Sequence, residues 1–98
     1  MSPLQDACSA GDTERVKQLL DGDGGALLDE KDGNEKTALM VVSKEGHTEV
    51  VKLLVDKGAL LDVKDKWGRT ALMIASKQGH TGVVKLLVDK GALLNVTD

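Results

Sequence analysis

The sequence predicts an all-α solenoid, in which similar helix-turn-helix units stack side by side and are joined by β-hairpin-like loops. The first observation is a repeat, because aligning 33–65 with 66–98 without gaps gives 23 identities in 33 positions. The second is the absence of Phe and Tyr: Trp67 is the one aromatic residue among 98, so the core must consist of small aliphatic side chains. The third is that each copy carries the same helix start and stop signals. Stacking of copies is how such a chain buries its apolar surface.

A weaker copy precedes these two. Residues 11–20 align with 46–55, and residues 25–28 align with 58–61. The offset between the copies falls from 35 residues in the first alignment to 33 in the second, because Gly22-Asp23-Gly24 stands where the later copies have a single lysine. We therefore expect one domain, 1–98, made of units at about 2–32, 33–65 and 66–98.

The first helix of each unit is predicted from its boundaries. Thr37 and Thr70 each begin a stretch rich in alanine and leucine, which ends at Gly46 and Gly79 respectively. This pattern favours a helix of about two turns with a threonine before it and a glycine after it.

The second helix follows a short turn. Thr48 stands where an N-cap oxygen accepts from the helix backbone, and the helix is expected to end near Asp56, before Gly58. The same signals recur 33 residues later. Residues 50–55 are apolar apart from Lys52, so this helix needs neighbours on both flanks. The polar stretch 61–70 predicts an extended turn or hairpin between units.

Composition excludes several classes of protein. The chain carries 16 acidic and 13 basic residues, a net charge of -3, which argues against an obligate nucleic-acid binder. No apolar run approaches the roughly 18 residues of a membrane span, and the N-terminus lacks the apolar stretch of a signal peptide. The single cysteine, Cys8, forms no internal disulfide, which favours an intracellular, cytoplasmic setting.

Unit three shows a characteristic pattern in GRTALMIAS at 68–76, followed by Gly79-His80, Gly91-Ala92 and Asn95. With the 33-residue period, this pattern resembles the ankyrin repeat over essentially the whole chain. The family's Thr-Pro-Leu-His is Thr-Ala-Leu-Met in units two and three. In unit two the turn glycine is replaced by Glu35, so Gly33 or Asn34 is expected to take any positive φ there.

The resemblance implies a non-catalytic protein-interaction module, a scaffold or adaptor that binds a protein partner through a concave face of hairpin tips and first helices. Trp67 is either a binding hot spot or an aromatic packed over the adjacent hairpin. The basic excess on this face favours an acidic protein or peptide, although ordinary solubilising charge is the simpler explanation. The expected contact residues are Asn34, Lys36, Lys66, Trp67 and Arg69 at the tips, and Lys44, Glu45, Lys77 and Gln78 on the first helices.

The two ends of the chain are expected to differ. Unit one has Asp6, Arg15 and Gln18 at positions that are apolar in the later units, which is typical of a terminal cap. Unit three has no such change, so its C-terminal face is expected to be bare within this sequence. Either the sequence is part of a longer array of repeats, or another chain covers that face. The second hypothesis is therefore a self-associating module, a homo-oligomer formed through Val84, Leu87, Val88 and Leu94.

No residue pattern indicates catalysis, a metal site or a cofactor. His47 and His80 lie 33 residues apart, which stacking would place about 10 Å from each other, too far to share zinc. We expect each to bond backbone in its inter-helix turn. Cys8 has no histidine in its unit to act as a base, and 21–25 lacks the ligands of a calcium loop. An engineered scaffold is a further alternative, which the irregular first unit disfavours; nucleic-acid binding ranks lower.

Overall fold

The computed structural model describes residues 3–22 and 28–92, and within these ranges the chain forms six helices and no strand. The helices are α1 (Pro3–Ala10), α2 (Thr13–Asp21), α3 (Ala38–Glu45), α4 (Thr48–Asp56), α5 (Ala71–Gln78) and α6 (Thr81–Asp89). None of the helices in these ranges is long and apolar enough to cross a membrane. The all-α prediction is confirmed. The glycine-rich residues 23–27, Leu94 and Asn95 lie outside the described residues.

The helices stack as three consecutive pairs. Helix α1 contacts α3 and α3 contacts α5, while α2 contacts α4 and α4 contacts α6. Each pair, α1–α2, α3–α4 and α5–α6, also packs within itself. First helices therefore form one row and second helices form another, with the core between them.

The loops between pairs are turns, and the β-hairpin prediction is not confirmed. Asp32 N donates to Lys36 O at 2.9 Å, and Asp65 N donates to Arg69 O at 2.9 Å. One such hydrogen bond closes each turn without a strand on either side in the described residues.

The predicted boundaries of the first helices are confirmed. Thr37 Oγ1 accepts from Met40 N at 3.4 Å, and Thr70 Oγ1 accepts from Met73 N at 3.3 Å. Both threonines are buried, so these bonds satisfy hydroxyls that water cannot reach. At the other end, Gly46 follows α3 in the left-handed conformation, with φ of 75°.

The second helices begin one residue earlier than predicted. Thr48 is the first residue of α4, and His47 holds the N-cap position without a side-chain capping bond. Thr48 N donates to Gly46 O at 2.9 Å, so the chain has already turned before Thr48 and its side chain cannot act as the cap. Thr81 follows His80 in the same way at the start of α6. The predicted role of the two threonines as N-caps is therefore wrong.

The core is aliphatic and draws most heavily on the central pair. Helices α3 and α4 have neighbours on both sides, so they contribute most of the large side chains that are fully buried. Each buried side chain of this size stabilises the fold by about 1.5–3 kcal/mol. The largest apolar side chains below 2% exposure are Leu4, Val16, Leu39, Met40, Val42, Val50, Val51, Leu54, Val83 and Leu87.

The first pair has the polar outer face that the sequence predicts. Asp6, Arg15 and Gln18 are all exposed on α1 and α2. At the position equivalent to Arg15, Val50 is 1% exposed and Val83 is fully buried, because each of these meets the preceding pair. The charged side chains of unit one remain in water where no preceding pair covers them in the described residues.

The last pair agrees only in part with the prediction of a bare apolar face. Leu87 is fully buried, because α6 packs against α5 of its own pair and α4 of the preceding one. Leu87 is therefore a core residue and does not belong to a self-association surface. Val84 is partly buried against the core, whereas Val88 is 38% exposed.

The histidines join neighbouring pairs at their inter-helix turns. His80 Nε2 donates to the backbone oxygen of Lys44 at 2.8 Å. The His80 ring also lies so close to Gly46 that a Cβ added there would stand 2.8 Å from Nδ1. His47 packs against Gly11 in the same way, and its Nε2 lies 3.0 Å from Glu45 Oε2. His80 therefore bonds backbone as predicted, but the acceptor lies in α3 of the preceding repeat and not in its own inter-helix turn. The contact of His47 is with the Glu45 side chain, so bonding to backbone is not confirmed there.

The contact of His80 with Gly46 predicts a difference between two equivalent glycines. Gly46→Ala should lower the free energy of unfolding by about 2–3 kcal/mol, because it adds a positive-φ side chain and displaces the imidazole that bonds Lys44. Gly79→Ala should cost about 1 kcal/mol, since φ is also 75° there but a Cβ meets nothing within 4 Å. Urea denaturation of both variants measures the difference. Equal losses would show that the His80 contact adds no stability.

Candidate functional site

The candidate site is built on two neighbouring turns, 32–37 and 65–70, which contact each other through the backbone. Lys66 N donates to Asn34 O at 2.9 Å. This bond fixes the turn of the third unit beside that of the second. The side chains on the two turns are therefore held at set distances from one another.

Asp65 organises the second of these turns from inside. Its Oδ1 accepts from Trp67 N and Arg69 N, both at 2.9 Å, and its Oδ2 accepts from Arg69 Nε at 3.0 Å. The residue is 5% exposed, so the three bonds replace the water that its carboxylate would otherwise bind. The carboxylate thus positions the backbone of Trp67 and the guanidinium of Arg69.

The Asp65 carboxylate keeps its charge in this buried place. Burial by itself raises the pKa of the carboxyl group. The backbone hydrogen bonds from Arg69 and Trp67, with the side-chain bond and charge of Arg69, outweigh burial and lower the pKa from 3.8. The ion pair with Arg69 is therefore present at neutral pH.

Trp67 lies among three cations. The Arg69 guanidinium carbon lies 5.1 Å from the centroid of the indole ring, and the ammonium nitrogens of Lys36 and Lys66 lie 5.8 Å and 6.0 Å from it. These distances are within the range of cation–π attraction. We call Lys36, Lys66, Trp67 and Arg69 the tip cluster.

The indole contacts the neighbouring turn and still faces solvent. Lys36 comes from the second unit, so the ring does lie beside the adjacent loop. Trp67 nevertheless remains 52% exposed, which leaves roughly half of it available to a partner. Packing against the neighbouring loop and exposure to solvent therefore occur together at this residue.

In the turn of the second unit, the positive φ is at a different residue from the one that the sequence predicts. Glu35 itself has the positive φ, 60°, at the position where the third unit has Gly68 with φ of 77°. The expectation that Gly33 or Asn34 would take it is wrong. Asp32 fixes the turn, because its backbone oxygen accepts from Glu35 N at 2.9 Å and its Oδ1 from the amides of Asn34 and Lys36. The hydrogen bonds of the turn hold Glu35 in a conformation costly for a side chain.

Gln5 is a positioning residue that the sequence argument missed. Its side chain is 2% exposed, and Nε2 donates to Lys36 O at 3.0 Å and to Glu30 O at 3.1 Å. It thereby ties α1 to the turn of the second unit. The available signal was its alignment with Met40, the position where the family pattern has a histidine.

The remaining predicted contact residues stand on the last turns of α3 and α5. Glu45 accepts from Ser9 Oγ at 3.4 Å and lies 3.0 Å from His47 Nε2. Within residues 3–22 and 28–92 no hydrogen bond, ion pair or ring contact joins these helix ends to the tip cluster. The exposed helix ends are Lys44, Glu45, Lys77 and Gln78.

The groups most able to carry chemistry lie elsewhere. Burial raises the pKa of the Cys8 thiol to about 12, so this fully buried cysteine remains a thiol at neutral pH. In the described part of the chain no three side chains of His, Cys, Asp or Glu come together as metal ligands.

A groove of about 240 Å³ lies at the inter-helix turns of units one and two, between Gly11 and Val50, and includes His47.

The comparison with known families agrees with this architecture. The family model described as ankyrin repeats, in three copies, matches residues 4–98. The chain belongs to the ankyrin-repeat family. Ankyrin repeats generally mediate protein–protein interactions and are typically non-catalytic, which directs attention to the surface of the repeats.

The buried carboxylate predicts an acid-dependent loss of stability. Asp65→Asn should lower the free energy of unfolding by about 1–3 kcal/mol at neutral pH, because it removes the charge that pairs with Arg69. The folded-state pKa of Asp65 is depressed, so its contribution is present above the ordinary value and lost as pH falls through the folded value. The difference between variant and wild type should therefore shrink below about pH 4.

Urea denaturation across this pH range measures the effect. Asp32→Asn is the matched control, because Asp32 accepts from two backbone amides in the equivalent turn. This substitution should lower the free energy of unfolding by less than Asp65→Asn does. A difference from wild type that stays constant into acid would contradict the role given to the Asp65 charge.

The positive φ angles at Glu35 and Gly68 predict that substitutions at these two positions change the free energy of unfolding in opposite directions. Glu35→Gly should raise the free energy of unfolding by about 0.5–1 kcal/mol, since glycine adopts positive φ without the steric cost of a side chain. Gly68→Ala should lower it by about 1 kcal/mol for the same reason. Thermal or urea unfolding checks both, and a loss of stability on Glu35→Gly would show that the Glu35 side chain itself stabilises the turn.

Proposed function

We propose that this ankyrin-repeat chain is a non-catalytic protein-binding module, a scaffold or adaptor that binds its partner through the tip cluster and the ends of the first helices. The observation that supports this most directly is Trp67, half exposed and surrounded by three cations on two turns that hydrogen bonds hold in place. A surface ordered in advance binds with little loss of conformational entropy. Tryptophan and arginine are also enriched among residues that dominate binding energy.

The partner is an acidic protein segment. Two exposed acidic residues, Glu35 and Glu45, and the half-buried Asp32 accompany five exposed or half-buried basic ones on the turns and helix ends. The chain as a whole has a net charge of -3, so this basic excess is local. Local charge of one sign attracts and orients a partner of the other sign. The five basic residues are Lys36, Lys44, Lys66, Arg69 and Lys77.

The setting that we propose is cytoplasmic. It is supported by the single cysteine, whose buried thiol suits a reducing compartment. Self-association through the third unit has less support, because Leu87 lies in the core and only Val88, at 38% exposure, is well exposed among the described members of that set.

The test is differential capture of partners. The double variant Trp67→Ala, Arg69→Ala should bind a captured partner more weakly by about 2–4 kcal/mol, because it removes the exposed ring and the fixed cation beside it. Helicity by far-ultraviolet circular dichroism should be unchanged, since Trp67 is outside the core and Arg69 lies in a turn between helices, and urea denaturation checks that the loss of the Arg69–Asp65 pair leaves the variant folded. Quantitative mass spectrometry of proteins retained by each immobilised form measures the effect.

Lys52→Ala is the matched control, because Lys52 is exposed on α4 and belongs to neither the turns nor the first-helix ends. It should retain what the wild type retains. The binding surface would lie on another side of the stack if the Lys52→Ala control lost the same proteins as the double variant. The same conclusion would follow if the double variant retained them as well as the wild type does.

A further inference from the structure

The positive charge of the binding surface is concentrated on the third repeat. Where the second repeat has Glu35 and Glu45, the third has Gly68 and Gln78. Where the second has Gly33, the third has Lys66. Lys36 and Lys44 of the second repeat correspond to Arg69 and Lys77 of the third, so both repeats keep a base at these positions. Of these two repeats, only the second carries exposed acidic side chains on this surface.

The internal partners of these charges sharpen the difference. Arg69 is paired with the ionised carboxylate of Asp65, so the charges of this pair balance within the turn and add no net negative charge to the third repeat. Within residues 3–22 and 28–92, no carboxylate lies within ion-pair distance of the Lys36 or Lys66 ammonium, and both contact the indole instead. Two cations at the tip cluster are therefore available to an external anion.

Glu45 presents its negative charge in a fixed place. Its two carboxylate oxygens lie near Ser9 Oγ and His47 Nε2, at 3.4 Å and 3.0 Å, which orient the side chain at the end of α3. A carboxylate of a partner would be repelled there. At the equivalent end of α5, Gln78 gives no such repulsion, and Lys77 stands beside it.

We propose that the partner segment is acidic over the third repeat and neutral or basic over the second. This inference rests on the proposed protein-binding function and assigns the register in which the segment lies. Carboxylates of the segment pair with Lys66, Arg69 and Lys77, and an apolar side chain between them packs on the exposed indole of Trp67. Like charges at Glu35 and Glu45 disfavour the opposite register.

The exposed ring and its cations also resemble a surface for nucleic-acid bases, and the local charge pattern favours the peptide. A nucleic-acid strand carries phosphates along its whole length, so some of them would meet Glu35 and Glu45 of the second repeat. A short peptide with acid confined to one block fits the local charge better. An oligonucleotide therefore serves as an arm of the test.

The experiment uses Trp67 as its own reporter, because it is the one tryptophan in the chain and Tyr and Phe are absent. The probes are a twelve-residue peptide with one half made of Glu and Asp, a central Leu and the other half made of Ser and Gly, the same peptide with Gln and Asn in place of Glu and Asp, and a twelve-nucleotide thymidine strand. The acidic peptide should change the emission of Trp67 with an affinity that falls as salt is added. The amide peptide should bind at least ~10-fold more weakly.

Matched variants at equivalent positions test the register. Lys77→Glu should weaken binding of the acidic peptide ~10-fold or more, whereas Lys44→Glu should weaken it less than ~3-fold, because Glu45 already repels the peptide there. Glu45→Gln should strengthen binding. These side chains are exposed, and unchanged thermal unfolding confirms that each variant is folded.

The outcomes separate the register from the function. Equal effects of Lys44→Glu and Lys77→Glu, or equal binding of the acidic and amide peptides, would overturn the register. If captured proteins still depended on Trp67 and Arg69 in that case, the protein-binding function would stand alone. Tighter binding of the oligonucleotide than of the acidic peptide would overturn both.

Discussion

Burial of small aliphatic side chains between neighbouring helix pairs is the interaction on which this structure depends. The central pair contacts both of its neighbours, and its Leu39, Val50 and Leu54 are each no more than 2% exposed. Because no aromatic side chain spans the core, each interface is thin and the pairs approach closely. This approach sets the distance between equivalent residues of successive repeats. It brings His80 onto Gly46, and the turn of the second repeat against that of the third.

The proposed binding surface depends on the same stacking and on a buried carboxylate. Stacking places Lys36 of one repeat beside Trp67 of the next, 5.8 Å from the ring centroid. Asp65 then orients Trp67 and Arg69 through three hydrogen bonds from inside the turn. The exposed side chains are therefore supported by a buried polar residue. Preorganisation of this kind reduces the entropy lost on binding.

Repetition separates the residues that maintain the fold from those that distinguish one repeat from another. Units two and three share the buried positions of both helices almost completely, with 23 identities in 33 positions. Most of the differences fall at the turns, where 33–36 differs from 66–69 throughout, and at exposed helix positions such as Glu45 and Gln78. A difference also occurs in the core, where Val42 corresponds to Ala75 and both are fully buried. The exposed positions are free of the packing constraint, so the surface can acquire its own charge pattern.

The sequence by itself determined the repeat, the six helices, the capping of α3 by Thr37 and the polar outer face of unit one. These features follow from local spacing and from the period, because hydrogen bonds within a helix and apolar periodicity involve near neighbours. Only the tertiary structure decided that Glu35 takes positive φ, that His47 precedes α4, that Leu87 is buried and that Lys36 contacts Trp67. Each of these depends on groups brought together by turns or by stacking, and side-chain contacts across repeats carry no signal in local sequence. The family could therefore be identified from the sequence, whereas the arrangement of cations around Trp67 required the structure.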